Sequence, residues 1–252
     1  MRDPVIMTRM FSQLLAVLSV SLLASAVNAE DEPAGGSQSA YDPLERYNRW
    51  VFSFNEFLDE YALRPVAEGY RNFVPDPIDQ GITNFFNNLD DVGVLVNSGL
   101  QLKGRKSVAT LSRLMFNTTL GIGGLFDVGT AFGLPKEDED FGQTLGFWGV
   151  GAGPYLMLPA LGPSTLRDAV GRVPDAYLEP TYYLEDEVAI GLTIAKAIDT
   201  RADLIPVEGF IVGDKYQFIR NAYLQRREYL VQDGAVEDPF ANDDEFDEDF
   251  EF

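Results

Sequence analysis

The sequence predicts a mostly α-helical protein whose helices carry strongly apolar faces. The first observation is an aromatic stripe at helical spacing around residue 50. The second is a set of further helical segments that extends to the last acidic stretch of the chain. The third is that Gly, Pro, Asn and charged residues interrupt every apolar stretch between residues 84 and 165. We therefore expect a helical fold, and any contact that it makes with a membrane is expected without a conventional transmembrane span.

The N-terminus has the pattern of a secretory signal peptide, which we assign to residues 1–29. Basic residues precede an apolar run from about Leu14 to Val27, and small residues lead to an expected cleavage after Ala29. A retained membrane anchor is the weaker alternative, because serines interrupt the run and it is shorter than the roughly 20 residues of a spanning helix. Residues 30–40 predict a flexible leader. We expect an exported protein.

The first helix of the body is predicted from its aromatic periodicity. Apolar residues recur at steps of three and four, at Tyr47, Trp50, Val51, Phe54, Phe57, Leu58 and Tyr61. Asp42 is expected to cap this helix, and Arg64 with Pro65 to end it. Such a stripe most often faces a protein core. Aromatic residues also suit a membrane interface, so both interpretations stay open.

Further helices are predicted at residues 79–102, 104–119, 186–201 and 214–234, with a shorter one from about Ser164 and a turn between residues 173 and 186. Between them, residues 120–135 (LGIGGLFDVGTAFGLP) are too rich in glycine for a stable helix and too apolar for an exposed loop. Such a segment is expected where backbones pack closely or line a cavity.

A second glycine-rich stretch, residues 149–162 (GVGAGPYLMLPALG), superficially suggests a phosphate-binding loop. Such a loop must open a helix, yet prolines at positions 154, 159 and 163 follow the last glycine of the run. The stretch instead predicts an irregular apolar wall that lines something.

The residue types argue against catalysis. The chain contains no Cys and no His, which excludes Cys nucleophiles, Ser-His-Asp triads and the common zinc sites. Asp90 with Asp91, and the acidic run 137–140, are paired carboxylates that we expect on the solvated surface. We therefore predict no enzyme, no cofactor and no metal site.

The charge is strongly negative and argues against nucleic acid as a partner. The formal net charge is -21, and the chain from Asp233 onward holds ten acidic residues and no basic one. Residues 235–252 predict a disordered acidic tail. Lys103, Arg105, Lys106 and Arg113 make the junction between the second and third helices the most basic region of the body.

Several blocks of the sequence together resemble the MlaA/VacJ family of outer-membrane phospholipid-transport proteins. The blocks are YDPLERYNRWVFSFNEFLDEY, GITNFFNNLDDVGVLVNSGLQ, RLMFNTTLGIGGLFDVG, FGQTLGFWGVGAGPYLMLPALGPSTLRD, TRADLI and AYLQRREYLVQDG. They occur in the order of the family and cover nearly all of residues 41–234, which we take as one MlaA/VacJ-like helical domain. The resemblance implies a mostly α, ring-shaped bundle of amphipathic helices around a central channel, embedded in one leaflet of the Gram-negative outer membrane on its periplasmic side.

The resemblance also implies a function. Family members remove phospholipids from the outer leaflet of the outer membrane and pass them to a periplasmic lipid-carrier protein, and through it to an inner-membrane ABC transporter. This traffic maintains lipid asymmetry, and the members associate with a trimeric porin. They are lipoproteins, whereas this sequence has no cysteine to carry a lipid. Retention is then expected from the embedded ring itself or from a porin.

Site residues follow from the matching blocks. The resemblance places a lipid-channel gating hairpin at Gly121, Gly123, Gly124, Phe126 and Asp127, a channel wall at Gly149, Gly151, Gly153 and Pro154, and a membrane-contact helix at Trp50, Phe54, Asn55 and Phe57. A simple packing role is the alternative at each of these positions.

Two other functions remain as alternatives. One is an exported interaction or scaffold protein, such as a virulence-associated surface factor, without lipid-channel activity; it would be a soluble monomer with the aromatic helices in its core. The other is a phospholipase-like enzyme, which the absence of His and Cys disfavours.

Overall fold

The computed structural model describes residues 42–234, apart from the side chain of Phe210. The predicted signal peptide, leader and acidic tail lie outside this range. The described part is mostly helical, with nine α-helices: α1 Glu45–Leu58, α2 Arg64–Phe73, α3 Asp76–Leu100, α4 Gly104–Thr119, α5 Val128–Ala131, α6 Phe141–Phe147, α7 Leu166–Leu178, α8 Asp186–Leu204 and α9 Lys215–Val231. Two strands, β1 Tyr155–Leu158 and β2 Gly162–Thr165, form an antiparallel hairpin, and 3-10 turns cover Pro180–Tyr183 and Ile205–Phe210.

The first predicted helix continues past its expected end at Arg64 and Pro65. A π-helix, Asp59–Leu63, joins α1 directly to α2, and the N–H of Arg64 donates to the carbonyl of Asp59. The prediction was wrong because Pro65 falls in the first turn of α2, where its missing N–H costs little. The start also differs, since the helix begins at Glu45 and Asp42 accepts from the Leu44 N–H at 3.0 Å.

Most of the other predicted helices are confirmed. The bounds of α4 are those predicted, α3 and α9 differ from prediction by one to three residues at each end, and α8 begins as predicted but ends three residues later. In contrast, α7 continues to Leu178 through Pro174, where a turn was expected, and α6 was not predicted. The short α6 forms because Asp140 caps it, accepting from the Gln143 N–H at 2.8 Å.

The hairpin corrects the prediction of an irregular wall over residues 149–162. Its second half is regular, with Tyr155 paired to Thr165 and Leu158 to Gly162. Tyr155 and Met157 are buried in the main hydrophobic cluster together with Val51 of α1 and Tyr216 of α9. The strand residues therefore contribute to the small apolar core of the protein.

Two asparagines of α1 complete the hairpin. Asn48 donates to the Tyr155 carbonyl at 3.1 Å and accepts from the Met157 N–H at 2.8 Å. Asn55, two turns later, donates to the Leu158 carbonyl at 3.0 Å and accepts from the Ala160 N–H at 2.8 Å. The Asn48 amide thus binds the free edge of β1 as a neighbouring strand would, and the Asn55 amide binds the end of β1 and the turn that follows it.

Candidate functional site

Burial in this protein is inverted relative to a water-soluble fold. Between residues 42 and 234, nine hydrophobic residues are buried, against 21 polar or charged ones. Over the same range, 36 large hydrophobic side chains are exposed. Soluble proteins bury apolar side chains and rarely expose large apolar patches, so this surface is built to contact something other than water.

Helix α4 shows the inversion most clearly. Val108, Leu111 and Met115 form an exposed stripe along one side of the helix. The buried side carries Thr110, Arg113 and Asn117, which repeat at the same spacing. The apolar face therefore points outward and the polar face inward, the reverse of an ordinary surface helix.

Helix α1 has the same character, and it tests the core-facing interpretation of the aromatic stripe. Its exposed aromatic residues are Tyr47, Trp50, Phe54 and Phe57, and Tyr61 of the following π-helix is exposed as well. Only Val51 of the predicted stripe is fully buried, so the core-facing interpretation is wrong. Asn55, which we assigned to the membrane-contact group, instead turns its amide to the hairpin.

Helix α8 repeats the pattern near the C-terminal part of the body. Val188, Ile190 and Ile194 are exposed, whereas Asp199 and Arg201 are buried. No helix within residues 42–234 is both long and apolar enough to cross a membrane. The apolar surface is thus built from the outward sides of α1, α4 and α8.

The buried polar groups form connected clusters, of which the first lies between α3, α4 and the glycine-rich segment. The guanidinium of Arg113 donates to Asp127 at 3.1 Å, and Lys136 binds Asp91. Asp91 was expected on the surface, but its side chain is only 1% exposed. Burial raises the pKa of Asp91, and Lys136 and Arg113 offset only part of this shift.

A second cluster joins α6, α7 and α9. Arg227 of α9 bridges Asp140 and Asp168, with 2.9 Å from its Nη2 to the Asp168 oxygen. The Tyr223 hydroxyl donates to the other Asp168 oxygen at 2.8 Å. Burial raises the pKa of Asp168, but its bonds to Arg227, Tyr223 and Thr165 outweigh this and lower the pKa below its usual value.

A third cluster surrounds Glu139, which was also expected on the surface. Its side chain is fully buried and accepts from Lys103 at 2.8 Å, Lys106 at 2.7 Å and Gln101 at 2.8 Å. The predicted basic junction is therefore largely neutralised by internal partners. Acids and bases that pair inside the fold need no water as a partner, an arrangement that suits contact with hydrocarbon.

Asp175 of α7 fastens α6 to α3. Both of its carboxylate oxygens accept from the Phe141 N–H at 3.0 Å, and Asn97 donates to one of them at 3.0 Å. Burial raises the pKa of Asp175 to about 6, although these hydrogen bonds favour the charged form.

The residues predicted to form a gating hairpin lie in the turns before α5 and pack on α3 and α4. At Gly121 a Cβ atom would stand 2.2 Å from the Phe126 carbonyl, and at Gly124 it would stand 2.6 Å from the Asn88 side chain. Gly123 faces open space with φ +70°, a conformation that favours glycine. Phe126 is exposed and Asp127 caps α5. Packing explains Gly121 and Gly124, while the predicted gating role remains a prediction.

The predicted wall residues lie elsewhere, beside β1 and α7. Gly149 and Gly151 are exposed, and a Cβ at either would meet no other atom within 4 Å. Gly153 packs on Leu166, and the Pro154 carbonyl accepts from the Leu166 N–H at 3.1 Å. Close packing therefore does not explain Gly149 or Gly151, and a wall role stays a prediction for both.

The buried polar clusters were missed at the sequence level. Arg113 was noted only as one of four basic residues, and Asp91 and Glu139 only as surface acids. The available signal was the spacing in α4, where Thr110, Arg113 and Asn117 stand opposite an apolar stripe of equal length. Periodicity alone does not say which of two such faces meets solvent.

Comparisons with known proteins agree on one family. The family model described as MlaA lipoprotein matches residues 40–230. The Escherichia coli K12 protein named intermembrane phospholipid transport system lipoprotein MlaA is 36% identical over 87% of this chain and 88% of its own length. An uncharacterized protein of Rickettsia felis is 41% identical over 78% of this chain and 80% of its own. A solved structure from work on the maintenance of bacterial outer membrane lipid asymmetry matches with a TM-score of 0.69 and 40% identity, covering 76% of this chain and 99% of that one.

Proposed function

We propose, because this chain belongs to the MlaA lipoprotein family, that it is the outer-membrane component of a phospholipid transport system. In this role it removes phospholipids from the outer leaflet of the outer membrane and so maintains lipid asymmetry. Its relatives in Escherichia coli and Shigella flexneri are named as intermembrane phospholipid transport components, and neither name is that of an enzyme.

The observation that carries the proposal is the inverted burial of the described body. Helices α1, α4 and α8 present apolar stripes outward, while each also buries polar side chains, among them Asn48, Arg113 and Arg201. In hydrocarbon, each unpaired polar group costs several kcal/mol, so a body that sits within a leaflet must pair its polar groups internally. We place these stripes against lipid acyl chains, with the helices arranged as a ring within one leaflet, on its periplasmic side.

A phospholipid needs a route that accepts both its polar head and its acyl chains. We assign the wall of this route to the stretch around Gly149, Gly151, Gly153 and Pro154, and its gate to the turns from Gly121 to Asp127.

The lipid then passes to a periplasmic carrier and an inner-membrane ABC transporter, and a trimeric porin holds the protein in place. Since the 252 residues contain no cysteine for lipidation, the apolar faces themselves contribute to retention after export by a cleaved signal peptide.

Fractionation of cells that express the full chain tests this proposal. We expect the protein in the outer-membrane fraction, resistant to alkaline carbonate and released by detergent, with phospholipid bound to the purified protein by mass spectrometry. Recovery of a lipid-free monomer from the periplasm without detergent would contradict the proposal and favour the exported interaction protein.

A further inference from the structure

Arg113 is a buried side chain that binds three points of the glycine-rich segment at once. It lies on α4, is 2% exposed, and donates to the Thr130 hydroxyl at 2.9 Å and the Leu134 carbonyl at 2.6 Å. Its other terminal nitrogen donates to Asp127 at 3.1 Å. One guanidinium therefore spans both ends of residues 127–134.

Neighbouring contacts hold the same stretch. Asn117, one turn after Arg113, donates to Asp127 at 3.2 Å and accepts from the Gly129 N–H at 2.8 Å. A Cβ at Gly129 would stand 2.9 Å from the Arg113 side chain, so the backbone of the segment lies directly on the arginine stem. We call residues 127–136 the base of the segment.

The base is also fastened to α3. The ammonium of Lys136 binds Asp91, and it donates to the Asn87 carbonyl at 3.1 Å. The Nε of Arg113 lies 3.7 Å from the second Asp91 oxygen. Asp91 is thus shared between the two cations that hold the base.

Residues 120–126, which we call the tip, are attached differently. Leu120, Ile122 and Phe126 are exposed, and Asn84 donates to the Leu125 carbonyl at a long 3.3 Å. Four backbone N–H groups of the tip donate to carbonyls in the last turn of α4 at 2.8 to 3.1 Å, and the tip packs on α3 and α4 at Gly121 and Gly124, but no charged side chain holds it among the described contacts. An apolar tip therefore extends from a base that is held by charge-assisted hydrogen bonds, which are about twice as strong as neutral ones.

We infer that Arg113 is a positioning residue: its guanidinium fixes the base of the glycine-rich segment, orients the apolar tip, and thereby controls how readily phospholipid passes. This inference rests on the proposed function. Arginine suits the role because its planar fork reaches several acceptors at once, whereas a lysine ammonium acts as a single point charge.

The first measurement is hydrogen–deuterium exchange of the full chain in detergent. Arg113→Lys keeps the charge but loses the fork, and Asp127→Asn keeps the cap of α5 but loses the ion pair. We expect exchange of the amides of residues 128–134 to rise about tenfold in each variant, as for the loss of one or two charge-assisted bonds. Arg105→Lys is the matched control, since Arg105 lies on the exposed side of the same helix, and it should leave exchange unchanged.

The double variant strengthens this test. If both residues act through one contact, Arg113→Lys with Asp127→Asn should raise exchange little beyond either single variant. Unchanged exchange at residues 128–134 in both single variants, with an unchanged melting temperature, would overturn the inference. Additive effects in the double variant would also overturn it, since they would mean that the two residues act separately.

The second measurement is surface phospholipid in a strain deleted for the gene and complemented with each variant, detected with a phospholipase that cannot cross the outer membrane. We expect Arg113→Lys and Asp127→Asn to leave surface phospholipid raised, with Arg105→Lys restoring the wild-type level. Faster exchange with a wild-type lipid level would overturn the link between the base and lipid passage, and it would leave the proposed function intact. A deletion strain with normal surface phospholipid would instead overturn the proposed function itself.

Discussion

At the scale of single residues, two asparagine side chains of α1 supply hydrogen bonds to the backbone of the β hairpin. Asn48 places a donor and an acceptor against the free edge of β1, where a third strand would pair, and Asn55 does the same at the end of β1 and the following turn. A two-stranded hairpin on its own is marginally stable in water, and these four bonds fix its position against α1. These hydrogen bonds could not be predicted from the sequence, because the periodicity of α1 identifies its polar positions without identifying their partners.

Replacing Asn48 by Ala should destabilise the protein more than replacing Asn55. Asn48 is fully buried, so Asn48→Ala leaves the Tyr155 carbonyl and the Met157 N–H buried and unpaired, at a cost of about 3 kcal/mol. Asn55 is only half-buried, and Asn55→Ala should cost about 1 kcal/mol because water can reach the freed groups. Thermal unfolding in detergent, monitored by circular dichroism, checks which variant loses more stability, with Ser53→Ala at an exposed position as the control. Equal losses for the two asparagines would contradict the assignment.

Asp175 should make stability depend on pH. Its pKa in the folded protein, about 6, lies above its value of about 3.9 in the unfolded chain, so the folded state holds the proton more tightly. The contribution of Asp175 to the free energy of unfolding is therefore lost as the pH rises from about 4 through 6, and this loss is on the order of 2 kcal/mol. Asp175→Asn cannot ionise and should remove that part of the slope. Unfolding of both proteins at pH 4.5 and 7.5 measures the difference, and identical slopes would show that Asp175 is not the titrating group.

At the scale of the elements, helical periodicity predicted most of the helices but not which way their faces point. Helix α4 has the bounds expected from its pattern, and α8 and α9 are close, because a 3.6-residue repeat forms a helix whichever face is buried. The short β1 and β2 were missed since four residues carry too little alternation. The buried charges of Asp91 and Glu139 were missed because the expectation of exposed charge assumes that water surrounds the protein.

The outward stripe of α1 should hold the protein in the membrane. Phe54→Gln combined with Phe57→Gln removes two exposed aromatic rings without touching the buried Asn48 and Val51. We expect this double variant to retain its melting temperature in detergent yet to be released from membranes by carbonate several-fold more than wild type, because each ring contributes roughly 2 kcal/mol of apolar burial. Ser53→Gln, at an exposed position of the same helix, is the control. Unaltered retention of the double variant would argue that α1 does not contact lipid.

Across the described body, many polar residues are buried and many large apolar residues are exposed. The surroundings of the protein must therefore accept an apolar surface. Such a body would be satisfied in a leaflet, the setting that we propose, where its outward stripes would meet acyl chains and its internal ion pairs would need no water. The family resemblance was readable from the sequence because the blocks lie in order along residues 41–234. The inversion was not readable, since it depends on which faces the folded chain brings together. The gate and wall positions likewise need a functional test.

Surface phospholipid in a strain deleted for the gene tests the central claim most directly, with the wild-type chain or Gly151→Asp, Phe126→Asp or Gly209→Asp supplied in its place. Gly209, like Gly151, is exposed and has open space around it, so it serves as the matched control. The account predicts that deletion raises outer-leaflet phospholipid, that wild type and Gly209→Asp restore it, and that the charges at positions 151 and 126 prevent restoration. Normal outer-leaflet phospholipid after deletion would contradict it.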